Sequence, residues 1–363
     1  MLDSFLYNTH YQVDKPLALL DLTLDVASPT EHASDDALAR RLDAHARTLQ
    51  VSVDGDLVSW KPNRDQMLYW IGNSHDAGLL SQQNSQDYWL MNFRWVRAFQ
   101  DKKSFWGQLQ QTSADLSRML LFRWGWVFDA PMLVALLWKM NELGTPNVGD
   151  IVAKSGHHVE DILCEVFAAI RDTTADPRTR TSYRQKIEEV RRGLQPNTRR
   201  HKVCTHVGIL TDAGILTANG GNKVMHAGLG AVMGQFATAR EAVAASLRAG
   251  SLGRGSALFL DIVENAFALK AGAISEIHEE EWEIVRNEVR KYWEQIEKWD
   301  RKFLGIRALA ELFLVKNLFR GSTIWSVNSW QAFLTQRARF VPEELTVHVD
   351  RFGRVEYLRL SSA

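Results

Sequence analysis

The sequence predicts a mainly α-helical protein in which helices are followed by short β-hairpins, with further helices packed around these modules. Two observations support this. First, Asp76-Ala77-Gly78-Leu79-Leu80-Ser81 is nearly repeated as Asp212-Ala213-Gly214-Ile215-Leu216-Thr217, and a Pro-Asn pair precedes each copy, at Pro62-Asn63 and Pro196-Asn197. Second, each copy ends a helical pattern with glycine and continues into a polar, strand-forming stretch. An internal repeat of this kind indicates one module used twice.

The N-terminal part contains the first copy of this module. Residues 35–50 are predicted to form an amphipathic helix, because acidic residues open it and favour the positive end of the helix dipole. Residues 49–60 alternate around Asp54-Gly55, which predicts a hairpin. The first repeat helix then covers 62–77, and a second hairpin is predicted over 79–91.

The middle of the chain contains the second copy. Residues 92–143 are predicted to be helical, with breaks near 102–103 and 130–131. The apolar spacing over 147–170, around a glycine turn, predicts a helix-turn-helix. Residues 173–182 are polar, include a proline and predict a loop, after which a basic helix runs to Gly193. The second repeat helix and its hairpin occupy 196–227.

The C-terminal part is predicted to contain mostly helices. These are tightly packed helices over 230–272, an acidic helix over 275–300, helices over 307–319 and 327–339, and a closing hairpin over 345–360. The predicted domains are 1–95, a connector over 96–145, 146–230, 231–306 and 307–363.

The main functional signal is a basic segment, residues 178–202, which has nine basic and two acidic side chains in a chain of formal net charge zero. Because the whole chain is neutral, any affinity for nucleic acid has to come from such a local patch. Arginine grips phosphate and pairs with guanine edges. The predicted nucleic-acid-binding residues are Arg178, Arg180, Arg184, Lys186, Arg191, Arg192, Thr198, Arg199, Arg200, His201 and Lys202. The same charges also fit a solvated face, or a face paired with the acidic helix.

These features resemble the winged-helix superfamily over 62–91 and 147–227, and less strongly over 307–360. The resemblance implies tandem winged helices with hairpin wings, in which the helix that opens with Thr198 to Lys202 enters the major groove of double-stranded DNA. The chain also looks like multi-winged-helix accessory proteins of bacterial defence and chromosome-maintenance operons. That likeness implies a subunit that recognises or loads DNA for a protein partner, or within a homo-oligomer.

The sequence offers no clear catalytic or metal site. It has no phosphate-binding loop of the Walker type and no nuclease-like acidic motif. His201, Cys204 and His206 do not converge and lack a fourth ligand, so no metal or cofactor is predicted. The two cysteines fit a reducing cytosol. Charged residues and a proline interrupt the most apolar run, 119–138, which predicts buried helices and no membrane span.

The sequence therefore predicts a cytoplasmic, non-enzymatic DNA-binding subunit. Two alternatives stay open. One is a protein-interaction scaffold whose winged helices have lost DNA, and the other is a nuclease whose active site is too dispersed to recognise.

Overall fold

The structure is a computed structural model that describes residues 40, 50–53, 56–59, 114–152, 158–193, 196–248, 257–267, 282–283, 286–287, 290, 304–305, 327–349 and 355–360. This part of the chain is mainly helical, as predicted, with small antiparallel sheets. It divides into two compact units, within Met1–Ala266 and within Phe267–Ala363. In the first unit the elements are β1 (Gln50–Val53), β2 (Asp56–Ser59), α1 (Ala114–Leu143), α2 (Val148–Val152), α3 (Val159–Thr173), α4 (Pro177–Arg192), α5 (Pro196–Asp212), β3 (Leu216–Asn219), β4 (Asn222–Met225), α6 (Ala227–Met233), α7 (Ala239–Arg248) and α8 (Ala257–Ala266).

The hairpin predicted around Asp54-Gly55 is confirmed. Strands β1 and β2 pair antiparallel, from Gln50 opposite Ser59 to Val53 opposite Asp56. The first repeat helix over 62–77, Gly78 and the hairpin over 79–91 lie outside the described residues. Of the helix predicted over 35–50, only Arg40 and Gln50 are described: Arg40 is helical, whereas Gln50 is the first residue of β1.

Helix α1 forms the centre of the first unit and is broken at Asp129, whose backbone dihedrals are φ −158° and ψ 66°. Pro131 accounts for the break, because proline removes a helical N–H donor and clashes with the preceding turn. The Asp129 carboxylate accepts a hydrogen bond from the Met132 N–H at 3.3 Å and so caps the second half. All side chains from Ala130 to Met140 are buried. The break predicted near 130–131 is confirmed.

The loop predicted over 173–182 is wrong, because α4 already begins at Pro177. Asp176 accepts hydrogen bonds from the backbone N–H groups of Arg178 and Thr179, at 3.2 and 3.1 Å. A carboxylate at the N-cap followed by proline in the first turn is a strong helix start, since proline lacks only a donor that would be unpaired there. Gly193 ends the helix at φ +83°, as predicted.

The packing of α2 differs from the predicted helix-turn-helix, which paired it with α3. Helix α2 packs against α5 and α1, whereas α3 packs against α4, α7 and α1. Helices α3 and α4 therefore lie in the sequence between two helices, α2 and α5, that are neighbours in space. Helices α6 and α8 approach closely, since a Cβ on Gly228 of α6 would lie 2.8 Å from the Asn265 carbonyl oxygen of α8.

The hairpin predicted after the second repeat helix is confirmed. Helix α5 ends at Asp212, and Gly214, the glycine predicted to end it, has the left-handed φ of +74°. Strands β3 and β4 pair antiparallel around Gly220 and Gly221, which both have positive φ. Asn147, just before α2, forms a β-bridge with Asn222. The segment before α2 therefore lies next to β4, on the side away from β3.

The second unit contains β5 (Leu304–Gly305), α9 (Val327–Phe340), β6 (Leu345–Val349) and β7 (Val355–Leu360), with strand order β5-β7-β6. The predicted helix over 327–339 and the closing hairpin are confirmed, while 307–319 lies outside the described residues. Of 275–300, the described positions are helical. In the first unit Asn147 pairs with β4, the second strand of the hairpin after α5, and in the second unit β5 pairs with β7, the second strand of the hairpin after α9.

Candidate nucleic-acid interface

Helix α4 presents most of the predicted basic side chains to solvent. Its buried side consists of Tyr183, Ile187 and Val190, and the Tyr183 ring packs 5.5 Å from that of Phe167 on α3. The exposed basic residues are Arg178, Arg180, Arg184, Arg191 and Arg192. At 3.6 residues per turn, positions 180, 184 and 191 fall on one flank of the helix. This flank is the α4 stripe, a row of three guanidinium groups beside the packed face.

Lys186 differs from the other predicted contacts on α4. Its side chain is half-buried, and its ammonium group lies 4.8 Å from the centroid of the Tyr183 ring. An ammonium over an aromatic face is held by the ring quadrupole. The structure therefore places Lys186 against the packed side of α4 and not on the α4 stripe.

The N-terminal end of α4 is ordered by hydrogen bonds. Arg180 Nε donates to the Thr174 carbonyl oxygen at 2.8 Å. The pKa of Asp176 is lowered, first by the hydrogen bond from the Thr179 hydroxyl and then by the backbone N–H groups of Thr179 and Arg178. Asp176 is therefore ionised at neutral pH and offsets part of the positive charge at this end.

The C-terminal end of α4 lies near Cys164 of α3. Burial raises the pKa of the Cys164 thiol, the nearby Arg191 guanidinium lowers it, and the carboxylates of Asp161 and Glu160 raise it further. Because the net shift is upward, Cys164 is a neutral thiol at neutral pH and is not an activated nucleophile. The first turn of α3 thus places carboxylates within electrostatic range of this end of the α4 stripe.

The remaining predicted contacts lie at the start of α5. The backbone of Thr198, Arg199, Arg200, His201 and Lys202 is helical, within the first two turns as predicted, and their side chains lie outside the described part of the chain. From Arg192 to Pro196 the chain can span at most about 14 Å. The C-terminal end of α4 and the N-terminal end of α5 are therefore separated by no more than this distance.

The hairpin adds polar groups that the sequence analysis did not assign. Asn219, Gly220, Gly221 and Asn222 are exposed, and Lys223 is half-exposed. The Lys223 N–H donates to the Pro146 carbonyl oxygen at 2.8 Å, which fixes β4 against the segment before α2. A lysine next to a glycine turn in a predicted wing is the signal that would have identified it.

A buried polar pair joins α1 to α5. His206 Nε2 lies 3.2 Å from Asp129 Oδ2, and both side chains have no exposed area. His206 therefore faces the inside of the first unit. Within the described residues, no group of three or more His, Cys, Asp or Glu side chains is arranged to hold a metal ion.

None of the helices described has both the length and the apolar character needed to cross a membrane. Comparisons with protein-family models, with curated proteins and with solved structures give no match to this chain.

Proposed function

We propose that this chain is a non-enzymatic, DNA-binding subunit that recognises or loads double-stranded DNA for a protein partner. In this proposal α2, α5, β3 and β4 form a winged helix, α5 enters the major groove and the β3–β4 hairpin is the wing. The packing of α2 on α5, with both helices on α1 and a hairpin directly after α5, supports this arrangement. The bridge from Asn147 to Asn222 supports a third strand beside the wing.

The observation that carries the proposal is the concentration of basic residues on two consecutive helices, whose adjoining ends are at most about 14 Å apart. Helix α4 supplies exposed arginines, and the first two turns of α5 supply Arg199, Arg200 and Lys202. In a chain of zero net charge, this concentration is a local field that attracts phosphate. In this proposal the α4 stripe contacts phosphate groups. It belongs to the helix pair, α3 and α4, that lies in the sequence between α2 and α5.

A binding titration with a labelled duplex of mixed sequence, repeated over a range of KCl concentrations, tests the proposal. Each neutralised phosphate releases counterions, so log affinity should fall against log salt with a slope of roughly −0.9 per contact on duplex DNA. An affinity that is absent, or that does not change with salt, would contradict DNA binding. Shortening of the duplex in the presence of Mg²⁺ or Mn²⁺ would support the nuclease alternative.

A specific observation favours a protein-contacting role for the second unit. There α9 precedes the β6–β7 hairpin, as α5 precedes β3–β4, but α9 opens with the uncharged residues Val327, Asn328 and Ser329. Arg337, near its end, donates a hydrogen bond to Glu344 at 2.9 Å. We propose that this unit is a degenerate winged helix that contacts the protein partner. If this proposal is correct, replacing the arginines of the first unit should remove DNA binding, while binding to the protein partner is retained.

The cellular setting is likewise a proposal. Cys164 and Cys204 are free thiols, which fits a reducing cytoplasm. The likeness to accessory proteins of bacterial defence and chromosome-maintenance operons supports a role beside a protein partner in such a system.

A further inference from the structure

We infer that Asp129 and His206 form a positioning pair that fixes the rotation of α5 on α1, and thereby the direction in which the first two turns of α5 face. The inference rests on the proposed function only for its consequence for DNA. The pair itself is a property of the α1–α5 interface.

The two oxygens of the Asp129 carboxylate serve different helices. Oδ1 accepts from the Met132 N–H at 3.3 Å and caps the second half of α1. Oδ2 lies 3.2 Å from His206 Nε2, and in this inference the ring N–H donates and the carboxylate oxygen accepts. The break in α1 frees Asp129 from helical geometry, with φ −158°, and allows this division.

An apolar contact would hold these helices together without the cost of burying polar groups. Taking an imidazole and a carboxylate fully out of water is unfavourable unless each finds a hydrogen-bond partner. Apolar interfaces tolerate several similar packings, whereas a buried hydrogen bond is satisfied in only one. A polar pair with no exposed area, close to the buried apolar side chain of Ile209, is therefore explained better by specificity than by stability.

A second contact lies on the same two helices, one turn away. A Cβ on Gly125 would lie 2.5 Å from Ile209 Cγ2, so the absence of a side chain on Gly125 lets α5 approach α1 closely. Gly125 precedes Asp129 by four residues, and Ile209 follows His206 by three, so the close approach and the hydrogen bond lie on the facing sides of both helices. Together they fix distance and rotation.

The consequence concerns residues 196–202. A helix turns as a unit, and a slip of one residue rotates it by about 100°. Losing the Asp129–His206 hydrogen bond would therefore change the direction of the whole basic start of α5 without removing any charge.

The test compares His206→Ala with His206→Gln, because the glutamine amide N–H reaches the place of Nε2. Val207→Ala is the matched control, since Val207 is a buried neighbour on the same helix and loses only packing. Asp129→Ser separates the two roles of the carboxylate: serine still caps Met132 but is too short to reach His206. We expect His206→Ala and Asp129→Ser to weaken duplex binding about tenfold, and His206→Gln to stay within about threefold of the natural protein.

Two outcomes would overturn the inference. One is that Val207→Ala, at a loss of stability equal to that of His206→Ala, weakens duplex binding as much as His206→Ala does. The other is a His206→Gln variant as impaired as His206→Ala. If His206→Ala fails to fold, His206→Asn replaces it, because its shorter amide does not reach the place of Nε2.

Hydrogen exchange distinguishes failure of this inference from failure of the proposed function. If the natural protein binds no duplex, DNA binding is wrong, and the pair is judged by amide exchange in residues 196–212. Faster exchange there in His206→Ala than in Val207→Ala supports the positioning pair, and equal rates overturn it.

Discussion

The indole N–H of Trp282 donates a hydrogen bond to Glu344 Oε2 at 3.1 Å, inside the second unit. The same carboxylate accepts from Arg337 Nε and from Arg286, each at 2.9 Å, and the Arg337 guanidinium lies 5.0 Å from the Trp282 ring. The Trp282 ring in turn packs edge-on against Phe333 of α9. Glu344, in the turn before β6, thus joins the helical residues Trp282 and Arg286 to α9 through one carboxylate.

This arrangement predicts that the second unit loses stability in acid. Burial alone would raise the pKa of Glu344, but the hydrogen bonds from Arg337, Trp282 and Arg286 outweigh burial and lower it. Because the pKa is lower in the folded than in the unfolded state, the stabilisation is present above the unfolded value of about 4.3 and is lost as the pH falls through the folded value.

The variant Glu344→Gln should remove this pH dependence and cost about 2 kcal/mol at neutral pH, since charge-assisted hydrogen bonds are lost from a mostly buried group. Amide exchange of residues 327–349 between about pH 3 and pH 7, a range that spans the glutamate titration, measures the effect. Glu343→Gln, at an exposed neighbouring position, is the control and should change little. Identical pH profiles for the two variants would contradict the prediction.

Gly214 is expected to resist replacement because of its backbone and not because of crowding. Its φ is +74°, while the nearest atom to an added Cβ is Arg118 Cδ at 3.5 Å, an ordinary contact. Gly214→Ala should cost on the order of 1 kcal/mol in the free energy of unfolding. Gly230→Ala provides the contrast, since Gly230 lies in α6 with no atom within 4 Å and no positive φ. A denaturant midpoint that drops for both variants equally would contradict this account.

Gly125 is expected to resist replacement for the opposite reason. An alanine there would place Cβ 2.5 Å from Ile209 Cγ2, so α1 and α5 would have to move apart. Overpacking of this kind costs about 1–3 kcal/mol. The double variant Gly125→Ala with Ile209→Ala should be more stable than the sum of the single effects, because the second change removes the clashing methyl group. Additive losses in urea unfolding would argue against direct contact.

Local signals in the sequence predicted the local structure well. Asp54-Gly55 and Gly220-Gly221 each lie between paired strands, because residues that tolerate positive φ suit tight hairpin turns. The loop predicted around Pro177 was wrong for a related reason: proline breaks a helix interior but suits the first turn of a helix. Asp176 just before it was the signal that distinguishes the two cases.

Contacts between distant residues could not be predicted in this way. The apolar spacing of α3 fits any helix partner. The sequence predicts that α3 pairs with its neighbour α2, whereas α2 packs on α5. The position of Lys186 over Tyr183 depends on which side of α4 is buried. Asp129 and His206 are 77 residues apart, and the sequence around neither one indicates the other. The sequence located the charges of the candidate site, and packing decided which of them reach solvent.

The basic start of α5 gives the most direct prediction about DNA. Replacing Arg199 and Arg200 with alanine removes two positive charges, so duplex affinity should fall and the salt slope should flatten by about two. Glutamate at the same positions should be worse than alanine, since it adds repulsion. The matched control is Arg240→Ala with Arg248→Ala, which removes the same charge from exposed positions on α7 and should leave the slope unchanged.

The α4 stripe supplies the comparison that locates the contact surface. Arg180→Ala with Arg184→Ala should flatten the slope as well, and the effect should add to that of Arg199 and Arg200 if both helices grip phosphate at once. If the Arg199 and Arg200 variant loses affinity for duplex DNA while the Arg180 and Arg184 variant does not, DNA contacts α5 and not the α4 stripe. If the Arg199 and Arg200 variant loses stability but keeps its affinity for duplex DNA, these arginines bind other protein groups and not DNA. The scaffold function is then the better explanation for this chain.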